Sequence, residues 1–519
     1  MSVFERVVAR MSEPSFYPAR PQRVEIRETH VSIVFLAGDR AYKLKKPVRM
    51  PFLDYSTPER RRHFCEQEVR LNRRFASDVY VGAAGIAERG GDLALTAADD
   101  PAALEYAVVM RRFGDESTLE SMVERGTAGE GTAEQVGTAI AAAHVAAPTA
   151  PPDAWTPAYV EARLDENFDT TRPDVDVLVD SVTYDAVRRF SYAFLRAHRS
   201  LLEERITAGM VRDVHGDLRA EHVLVEDGRV SFVDCVEFDE RLRCIDVAAD
   251  LAFLTMDLER LGARPLADAV TGTYAARTGD RGLARLLPFY GCYRAWVRAK
   301  ATALRLREVP AADPVRRGLE EHARGQFALA LRLAWRARLP LVVVLCGVAG
   351  SGKSTLAAEL ARRAGLPHLS SDRVRKELAG IPPERRGRQE LYAPDVTERT
   401  YRELAARAQA AIRGAGGAVV DATFQRSAHR TLLRDPGVPV LWVECRAPAR
   451  VIRERAEARA GGPEHASDAT WPVARAQLEA WEPLETAPPR DRLLLRTDRP
   501  LETCLAEMEA FVSAAVDGG

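Results

Sequence analysis

The stretch LVVVLCGVAGSGKSTLAAELARRA, residues 341–364, gives the clearest prediction of fold in the chain. Its apolar start predicts a buried strand, its glycine-rich middle predicts a turn, and its Ala- and Leu-rich end predicts a helix. Two further strands are predicted in AVVDATF and VLWVECRA, at residues 418–424 and 440–447. Strands that alternate with helices predict an α/β domain whose parallel sheet is covered by helices on both faces.

The pattern upstream of this stretch is different, because it mixes antiparallel hairpins with long helical segments. VSIVFLAGDRAYKLKK predicts a hairpin with Gly38 and Asp39 at its turn, and HVLVEDGRVSFVDC, residues 222–235, predicts another. GDLALTA and EYAVVMRRF are predicted to form a further strand pair. No internal repeat relates the two patterns. We therefore predict two domains, at residues 1–337 and 338–519.

The composition excludes several classes of protein. With 519 residues, 46% of them hydrophobic, the chain is too long for one compact core and too apolar to be disordered. No apolar run approaches the roughly 20 residues of a membrane helix, and the first residues lack the apolar segment of a signal peptide. A net charge of −1 gives no basic surface for nucleic acid or an anionic membrane. Seven cysteines without a CxxC pair indicate reduced thiols and no structural metal, so we expect a cytoplasmic protein.

Residues 347–354, GVAGSGKS, match the phosphate-binding pattern GxxxxGK[ST] between the predicted strand and helix. Glycines allow backbone N–H groups to turn toward phosphate oxygens, Lys353 would neutralise the β and γ phosphates, and Ser354 would bind Mg²⁺. The alternative is a glycine turn that matches the pattern by chance. The residues expected to hold nucleotide here are Gly347, Gly350, Ser351, Gly352, Lys353, Ser354 and Thr355.

The next strand is followed by Asp372 and Arg375, spaced as DxxR. The carboxyl ends of parallel strands face the ligand crevice of an open α/β sheet. An Asp at this end can accept a proton from a substrate hydroxyl, and an Arg one helical turn later can hold phosphate or substrate charge. The alternative is an Asp that caps a helix, followed by a solvated Arg.

Asp421 ends another predicted strand, where it would meet the metal or position Arg375. The residues after it, Ala422 and Thr423, supply no second carboxylate to activate water, and no NKxD pattern for guanine follows downstream. Transfer of a phosphoryl group to a hydroxyl is therefore favoured over hydrolysis.

An arginine-rich segment follows the last of these strands, and in it Arg455 and Arg459 would share a helix face. A mobile lid that brings such residues onto the transferring phosphoryl group would compensate the charge of the transition state. The alternative is an exposed helix of i,i+4 charge pairs with Glu454 and Glu457.

This order of motifs resembles the P-loop small-molecule kinases, a group that includes gluconate kinase, polynucleotide 5'-hydroxyl kinase and the zeta toxin kinases. The resemblance covers about residues 340–515. It implies that Asp372 is the general base, that Arg375 binds substrate or phosphate, and that ATP with Mg²⁺ occupies the loop.

The segment HGDLRAEHVLV, residues 215–225, carries a second phosphate-transfer pattern. Phosphoryl transfer on a kinase scaffold uses a catalytic Asp, a metal ligand five residues on, and an Asp on the following hairpin that holds Mg²⁺. Asp217, His222 and Asp234 occupy these positions. Upstream, Lys43 on a strand would pair the phosphates and Glu68 on a helix would be its ion-pair partner.

This second pattern resembles the aminoglycoside phosphotransferase-like kinases over about residues 25–335, which implies an α+β protein-kinase-like domain. The whole chain resembles two-domain bacterial proteins that fuse such a domain to a P-loop kinase. The family motif has Asn where this chain has His222, and an imidazole is a poorer ligand for Mg²⁺. Asp246 and Asp250 match the acidic pair that braces the catalytic loop. Lys45, on the same strand face as Lys43, is the second choice for the phosphate lysine.

Together these resemblances imply a bifunctional ATP-dependent phosphotransferase that acts on hydroxyl groups of small molecules through two nucleotide sites. One alternative is an N-terminal regulatory pseudokinase that gates a C-terminal kinase. Another is a polynucleotide 5'-hydroxyl kinase, against which the near-neutral charge argues. The sequence names neither acceptor and leaves the oligomeric state open.

Overall fold

The computed structural model describes residues 2–50, 53–382, 389–433, 438–460, 470–484 and 488–517. Its strands are β1 (Val24–Glu28), β2 (Ser32–Ala37), β3 (Arg40–Lys45), β4 (Arg49–Met50), β5 (Leu53–Asp54), β6 (Tyr80–Arg89), β7 (Asp92–Ala97), β8 (Ala103–Arg111), β9 (Val211–Asp213), β10 (Val223–Glu226), β11 (Arg229–Phe232), β12 (Cys244–Asp246), β13 (Leu341–Cys346), β14 (His368–Ser370), β15 (Gly417–Asp421), β16 (Val440–Arg446) and β17 (Arg492–Arg496).

Its α-helices are α1 (Val3–Met11), α2 (Pro58–Asn72), α3 (Leu119–Glu124), α4 (Glu130–Ala146), α5 (Pro157–Thr171), α6 (Ser181–Ala197), α7 (Arg199–Thr207), α8 (Val247–Arg260), α9 (Arg264–Thr278), α10 (Leu283–Glu308), α11 (Val315–Ala337), α12 (Lys353–Ala364), α13 (Ser371–Leu378), α14 (Pro394–Ala415), α15 (Ser427–Thr431), α16 (Ala449–Ala460), α17 (Trp471–Glu479) and α18 (Leu501–Val516).

The chain folds into two compact units that are not simple halves of the sequence. The N-terminal unit consists of Met1–Val160 and Ser200–Arg294, and the C-terminal unit consists of Glu161–Arg199 and Ala295–Gly519. In the C-terminal unit, α6 and α11 pack with α18 and α12. The boundary predicted between residues 337 and 338 describes a change of sequence pattern and stays a prediction.

The N-terminal unit contains an antiparallel sheet in the order β1-β2-β3-β8-β6-β7. β2 and β3 form the predicted hairpin. The predicted pairing of GDLALTA with EYAVVMRRF is wrong, because β6 lies between these two strands and pairs with both. β6 gives a weak strand signal because it contains Gly82 and Gly85. At Gly85 a Cβ would lie 2.7 Å from the carbonyl oxygen of Ala97, so the close approach of β7 requires glycine.

The C-terminal unit contains the predicted α/β fold from β13 onward. Its sheet has the order β14-β15-β13-β16-β17, and every pair is parallel. α14 packs on one face of the sheet, while α12 and α18 pack on the other. All six residues of β13 are buried, as expected for the central strand of such a sheet. The phosphate loop, Asp421 and the start of α13 therefore meet at the carboxyl edge.

Among the described residues, none of the helices combines the length and the apolar character needed to span a membrane.

Candidate active sites

A buried ion-pair cluster joins β3 to α2 in the N-terminal unit. Because side chains alternate along a strand, Lys43 and Lys45 share the face that α2 covers, while Leu44 packs in the core cluster that includes residues of α1. Nζ of Lys43 lies 2.9 Å from Oε1 of Glu68, and Nζ of Lys45 lies 2.6 Å from Oε2. Glu68 is completely buried, so the two ammonium groups supply the compensation that a carboxylate out of water requires.

The two lysines differ in their other partners. Nζ of Lys43 lies 2.5 Å from Oδ1 of Asp234, whereas Lys45 is bonded to Glu237 and lies 3.3 Å from the hydroxyl of Tyr55. Burial acts to lower the pKa of both lysines, but the neighbouring carboxylates, led by Asp234 and Glu237 respectively, hold each pKa well above its usual value. Both lysines stay cationic, and Lys43 is the one beside the predicted metal-binding carboxylate.

A buried carboxylate on α8 holds the loop HGDLRAEH in place. The backbone N–H groups of His215 and Gly216 donate to Oδ2 and Oδ1 of Asp250, at 3.2 and 2.8 Å. Gly216 has φ of +83°, and a Cβ there would lie 2.7 Å from the carbonyl oxygen of Leu242. The loop therefore requires glycine at this position, and the predicted bracing role of Asp250 is confirmed.

Two residues that the sequence did not indicate complete this brace. Nε2 of His144 donates to Oδ2 of Asp250 at 3.2 Å, and the hydroxyl of Tyr274 lies 3.0 Å from Nδ1. Burial acts to raise the pKa of Asp250, but the bond from His144 holds it below its usual value. Asp246, the other predicted brace, binds Arg205 at 2.6 and 2.7 Å. No local spacing could reveal His144, because it lies 106 residues before Asp250.

Asp217, the predicted proton acceptor, is bound by a cation of its own loop. Nε of Arg219 lies 3.1 Å from both carboxylate oxygens, and Nη2 lies 3.0 Å from Oδ2. Nδ1 of His222 donates to the backbone oxygen of Asp217 at 2.9 Å, and Nε2 lies 3.6 Å from Oδ2 of Asp234. Burial, then the charge of Arg219, lower the pKa of His222. The structure thus brings the predicted acid–base and metal residues of this unit into one cluster.

Asp234 follows β11 in a left-handed conformation, with φ of +63°. Its N–H donates to the hydroxyl of Tyr80 at 3.0 Å, and the next N–H donates to the side chain of Asn72 at 2.8 Å. Burial acts to raise the pKa of Asp234, but Lys43 and His222 outweigh this effect and hold the pKa far below its usual range. Asp234 is therefore a fixed, ionised oxygen ligand of the kind that Mg²⁺ prefers.

The phosphate loop of the C-terminal unit depends on its glycines. Gly347, Gly350 and Gly352 have φ of +143°, +84° and +88°, which L side chains rarely adopt. A Cβ on Gly347 would also lie 2.5 Å from the carbonyl oxygen of Cys445. Lys353 is the first residue of α12, so the loop leads directly into a helix N-terminus.

A hydroxyl and a carboxylate meet beside this loop. Oγ of Ser354 donates to Oδ2 of Asp421 at 2.7 Å, which joins the predicted metal and nucleotide residues across 67 positions of the chain. Nε2 of His368 donates to Oδ1 of the same carboxylate at 2.5 Å. The sequence did not indicate His368. Its only signal is a polar side chain at the first residue of a short strand.

Asp372 and Arg375 lie in α13 at the same edge of the sheet. The N-cap of α13 is Ser370, so Asp372 belongs to the first turn. Arg375 is buried, its Nη1 donates to the carbonyl oxygen of Leu391 at 3.3 Å, and its guanidinium lies 4.6 Å from the ring centre of Tyr392. The alternative of a capping Asp with a solvated Arg is therefore wrong. The catalytic roles of the pair stay predictions.

Arg455 reaches from α16 to the phosphate loop. Its Nη2 donates to the carbonyl oxygen of Thr497 at 2.6 Å, and its Nη1 lies 3.4 Å from the carbonyl oxygen of Gly350. Arg450, by contrast, pairs with the glutamate four residues on, as the alternative of an exposed charged helix predicts. The side chain of Arg459 lies outside the described residues.

Two side chains that the sequence did not indicate also hold the phosphate loop. The side-chain oxygen of Gln477, on α17, accepts a hydrogen bond from the N–H of Ala349 at 2.8 Å. Oγ1 of Thr497, which follows β17, donates to the carbonyl oxygen of Ser351 at 2.5 Å. Both contacts come from distant parts of the sequence, so no motif near the loop could predict them.

Comparison with known protein families confirms both predicted resemblances. The profile described as the phosphotransferase enzyme family matches residues 55–289, and the profile described as an AAA domain matches residues 342–484. Uncharacterized proteins Rv2004c of Mycobacterium tuberculosis and Mb2027c of Mycobacterium bovis are each 33% identical over 491 residues, covering 90% of this chain and 93% of the relative. Dephospho-CoA kinase of Chlorobaculum tepidum is 48% identical over 65 residues, 12% of this chain and 31% of that enzyme.

Solved structures similar to this chain include kinases of both kinds. A gluconokinase from Sinorhizobium meliloti is 22% identical, with 35% of this chain and 95% of that chain covered and a TM-score of 0.26. A choline/ethanolamine kinase family protein from Mesorhizobium loti is 14% identical, with 63% and 94% covered and a TM-score of 0.39.

Proposed function

Since this chain belongs to the family of the two mycobacterial proteins and unites a phosphotransferase domain with a P-loop domain, we propose that it is a bifunctional ATP-dependent phosphotransferase. Each site would transfer the γ-phosphoryl group of ATP to a hydroxyl group of a small molecule. The observation that supports an active N-terminal site beside the P-loop site is the cluster of Lys43, Glu68, Asp217 and Asp234, drawn from four separate segments, in which Asp217 is joined through His222.

In the N-terminal site, Lys43 would pair the phosphates while Glu68 holds it in place. Asp217 would accept the proton of the acceptor hydroxyl. Asp234 fits a Mg²⁺ ion, because its carboxylate is ionised and its side chain is 45% exposed despite its contact with Lys43. Mg²⁺, when bound, neutralises charge that develops on the transferring phosphoryl group.

In the C-terminal site, the N–H groups of the glycine loop and Lys353 would bind the phosphates. The hydroxyl of Ser354 and the carboxylate of Asp421 fit a second Mg²⁺ site, since both are hard oxygen donors already 2.7 Å apart. Asp372 would take the acceptor proton, and Arg375 would hold acceptor or phosphate charge. Arg455, and in the prediction also Arg459, would compensate charge on the transferring group. These roles rest on position at one sheet edge.

A small acceptor is supported by the charge of the chain. Its net charge of −1 offers no basic stripe along which a polynucleotide would bind through many phosphates. Sugars, amino sugars and nucleosides carry hydroxyl groups and need no such surface.

A second candidate function is regulation, in which the N-terminal unit binds nucleotide without transferring phosphate. The fork of Arg219 on the carboxylate of Asp217 favours it, because a general base held by a guanidinium is a weaker proton acceptor. The intact pair of Lys43 and Glu68 would then serve nucleotide binding alone.

The decisive experiment incubates the full chain with γ-labelled ATP and the small-molecule fraction of a cell extract, with phosphorylated products identified by mass spectrometry. Asp217→Asn and Asp372→Asn are compared with Asp227→Asn and Asp395→Asn, two exposed carboxylates outside the sites. Each site variant is expected to lose one set of products by a factor of about 10² to 10⁴, as for a lost general base. The two controls should keep both sets.

Three outcomes would go against the proposal in distinguishable ways. Hydrolysis of ATP without any phosphorylated product would replace the kinase assignment by an ATPase. Products that are lost in Asp372→Asn and unchanged in Asp217→Asn would support the regulatory alternative for the N-terminal unit. If both variants keep all their products, neither Asp217 nor Asp372 is the general base.

A further inference from the structure

The side chain of His222 has no nitrogen free to bind a metal ion. Its Nδ1 contacts the backbone oxygen of Asp217 at 2.9 Å, and because a carbonyl oxygen only accepts, Nδ1 carries the proton. A neutral imidazole then has its lone pair on Nε2. That nitrogen lies 3.2 Å from Nη2 of Arg219, which can only donate. The ring is therefore held at both ends.

Arg219 places its positive charge beside Asp217 and Nε2 of His222, where kinase sites place metal charge. Its guanidinium forms a fork on Asp217, also pairs with Glu221, and its side chain is 14% exposed. Oδ2 of Asp234 approaches the same nitrogen of His222, at 3.6 Å from Nε2. The guanidinium of Arg219 thus contacts both Asp217, the proposed base, and His222, which stands where the family has a metal-binding Asn.

These contacts do not fit a second Mg²⁺ ion. Mg²⁺ requires near-octahedral oxygen ligands at about 2.0–2.1 Å and binds an imidazole nitrogen poorly. An ion at Nε2 would displace Arg219 from that nitrogen and bring a dication next to the guanidinium. In Asp234, Lys43 contacts Oδ1, whereas Oδ2 lies 3.6 Å from Nε2 of His222 and accepts no hydrogen bond from the described residues, so Oδ2 is the oxygen that can take the first ion.

We propose that the N-terminal site binds its nucleotide with one divalent cation, held by Asp234, and that Arg219 supplies the second positive charge in place of a second cation. This inference rests on the proposed nucleotide site of the N-terminal unit. It assigns a functional reason to the His at position 222, since Nε2 is an acceptor for Arg219 where the family's amide would be a metal ligand.

The test counts manganese ions by the loss of the free Mn²⁺ signal in electron paramagnetic resonance. The protein is the full chain with Lys353→Ala, which weakens the P-loop site, saturated with a non-hydrolysable ATP analogue. We expect one Mn²⁺ for each nucleotide bound. This ratio does not depend on residual binding at the P-loop, because that site also takes one ion for each nucleotide. The double substitution Arg219→Met and His222→Asn should add one Mn²⁺ per chain.

The matched control is Arg229→Met, an exposed arginine on β11, which should leave the ratio at one. A ratio of two nucleotide-bound Mn²⁺ ions at the N-terminal site of the Lys353→Ala chain would overturn the inference, whether or not the double variant folds. A folded double variant that gains no ion would overturn the role of Arg219. If substitution of Lys43 leaves nucleotide binding unchanged, the N-terminal unit does not bind nucleotide as proposed. That result would reject the proposed N-terminal function and is distinct from a wrong count of ions.

Discussion

Lys43 and Lys45 both contact the buried carboxylate of Glu68, but their other neighbours predict different roles for them. Lys43 contacts Asp234, whose side chain is 45% exposed, so its ammonium group lies at the open side of the cluster. Lys45 is 1% exposed and contacts Glu237 and Tyr55, so it lies inside the cluster. A cation that meets phosphate must be reachable, whereas a cation that compensates buried carboxylates need not be.

Substitution of each lysine should therefore have a different effect. Lys43→Met should lower the affinity of the N-terminal site for ATP more than it lowers stability. Lys45→Met should destabilise the N-terminal unit by about 3–5 kcal/mol, because it leaves Glu237 without its buried cation. Lys46→Met, which removes a pair with the exposed Glu28, is the control. Nucleotide titration and urea unfolding separate the effects, and equal loss of affinity in both variants would contradict this division.

His215 gives the N-terminal unit a pH dependence. Its Nε2 donates to the carbonyl oxygen of Val233 at 2.9 Å, while its buried Nδ1 has no hydrogen-bond partner among the described residues. Burial, the largest effect, lowers the pKa of His215 to about 4. As the pH falls, His215 therefore binds a proton near pH 6.5 in the unfolded chain but only near pH 4 in the folded chain.

The stability that His215 contributes should be complete above about pH 6.5 and lost as the pH falls toward 4, to an extent of up to about 3 kcal/mol. His215→Gln, which cannot titrate, should flatten this part of the curve. Urea unfolding of the N-terminal unit between pH 4 and 7 measures it, with the exposed His63→Gln as control. An unchanged slope in His215→Gln would show that other groups cause the acid sensitivity.

The conformation of the phosphate loop is set by its backbone torsions and by the strand beside it. Its glycines have positive φ angles, and the carbonyl oxygen of Cys445 on β16 occupies the space that a side chain at Gly347 would need. The neighbouring strand thus sets the residue type in the loop. α13 and α16 contribute to the same site through side chains such as those of Arg375 and Arg455.

Gly347→Ala should cost the C-terminal unit about 2–4 kcal/mol, because it adds both a backbone clash and an unfavourable φ. Nucleotide binding by this unit should fall with it. The control is Gly318→Ala in α11, where a Cβ meets no atom within 4 Å and alanine favours the helix. Thermal unfolding and nucleotide titration check both variants. Normal binding in Gly347→Ala would mean that the loop can shift away from β16.

The whole chain combines two nucleotide-binding folds and has a nearly neutral net charge. An electrostatic surface for polynucleotides would need an excess of Lys and Arg on one unit. Acceptor choice is then expected to depend on pocket shape and hydrogen bonds rather than on long-range attraction.

We therefore expect weak binding of single-stranded DNA or RNA, without the steep salt dependence of a phosphate-binding surface. A protein that bound six or more phosphates would lose about 10³-fold or more in affinity between 50 and 200 mM salt. Fluorescence anisotropy of a labelled oligonucleotide at both salt concentrations measures this. Tight binding with that salt dependence would favour the polynucleotide kinase alternative.

Local patterns in the sequence were enough to predict the two fold types, the phosphate loop, the HGD segment and the hairpins with Gly38 and Asp227 at their turns. Each of these depends on neighbouring residues, because alternation, glycine torsions and motif spacing are local properties. The parallel sheet followed from the same local signals, since repeated strand–helix units allow few other arrangements.

The contacts between side chains of distant segments became evident in the folded chain alone. The fold placed His144 behind Asp250 and His368 on Asp421, and it put β6 between the two strands that the sequence predicts to pair. These contacts join residues whose separation along the chain carries no information, because folding brings them together through the packing of whole elements. The sequence does not predict β6 for a related reason. Its glycines weaken the strand signal, and the close approach of a neighbouring strand that requires glycine exists only in the folded sheet.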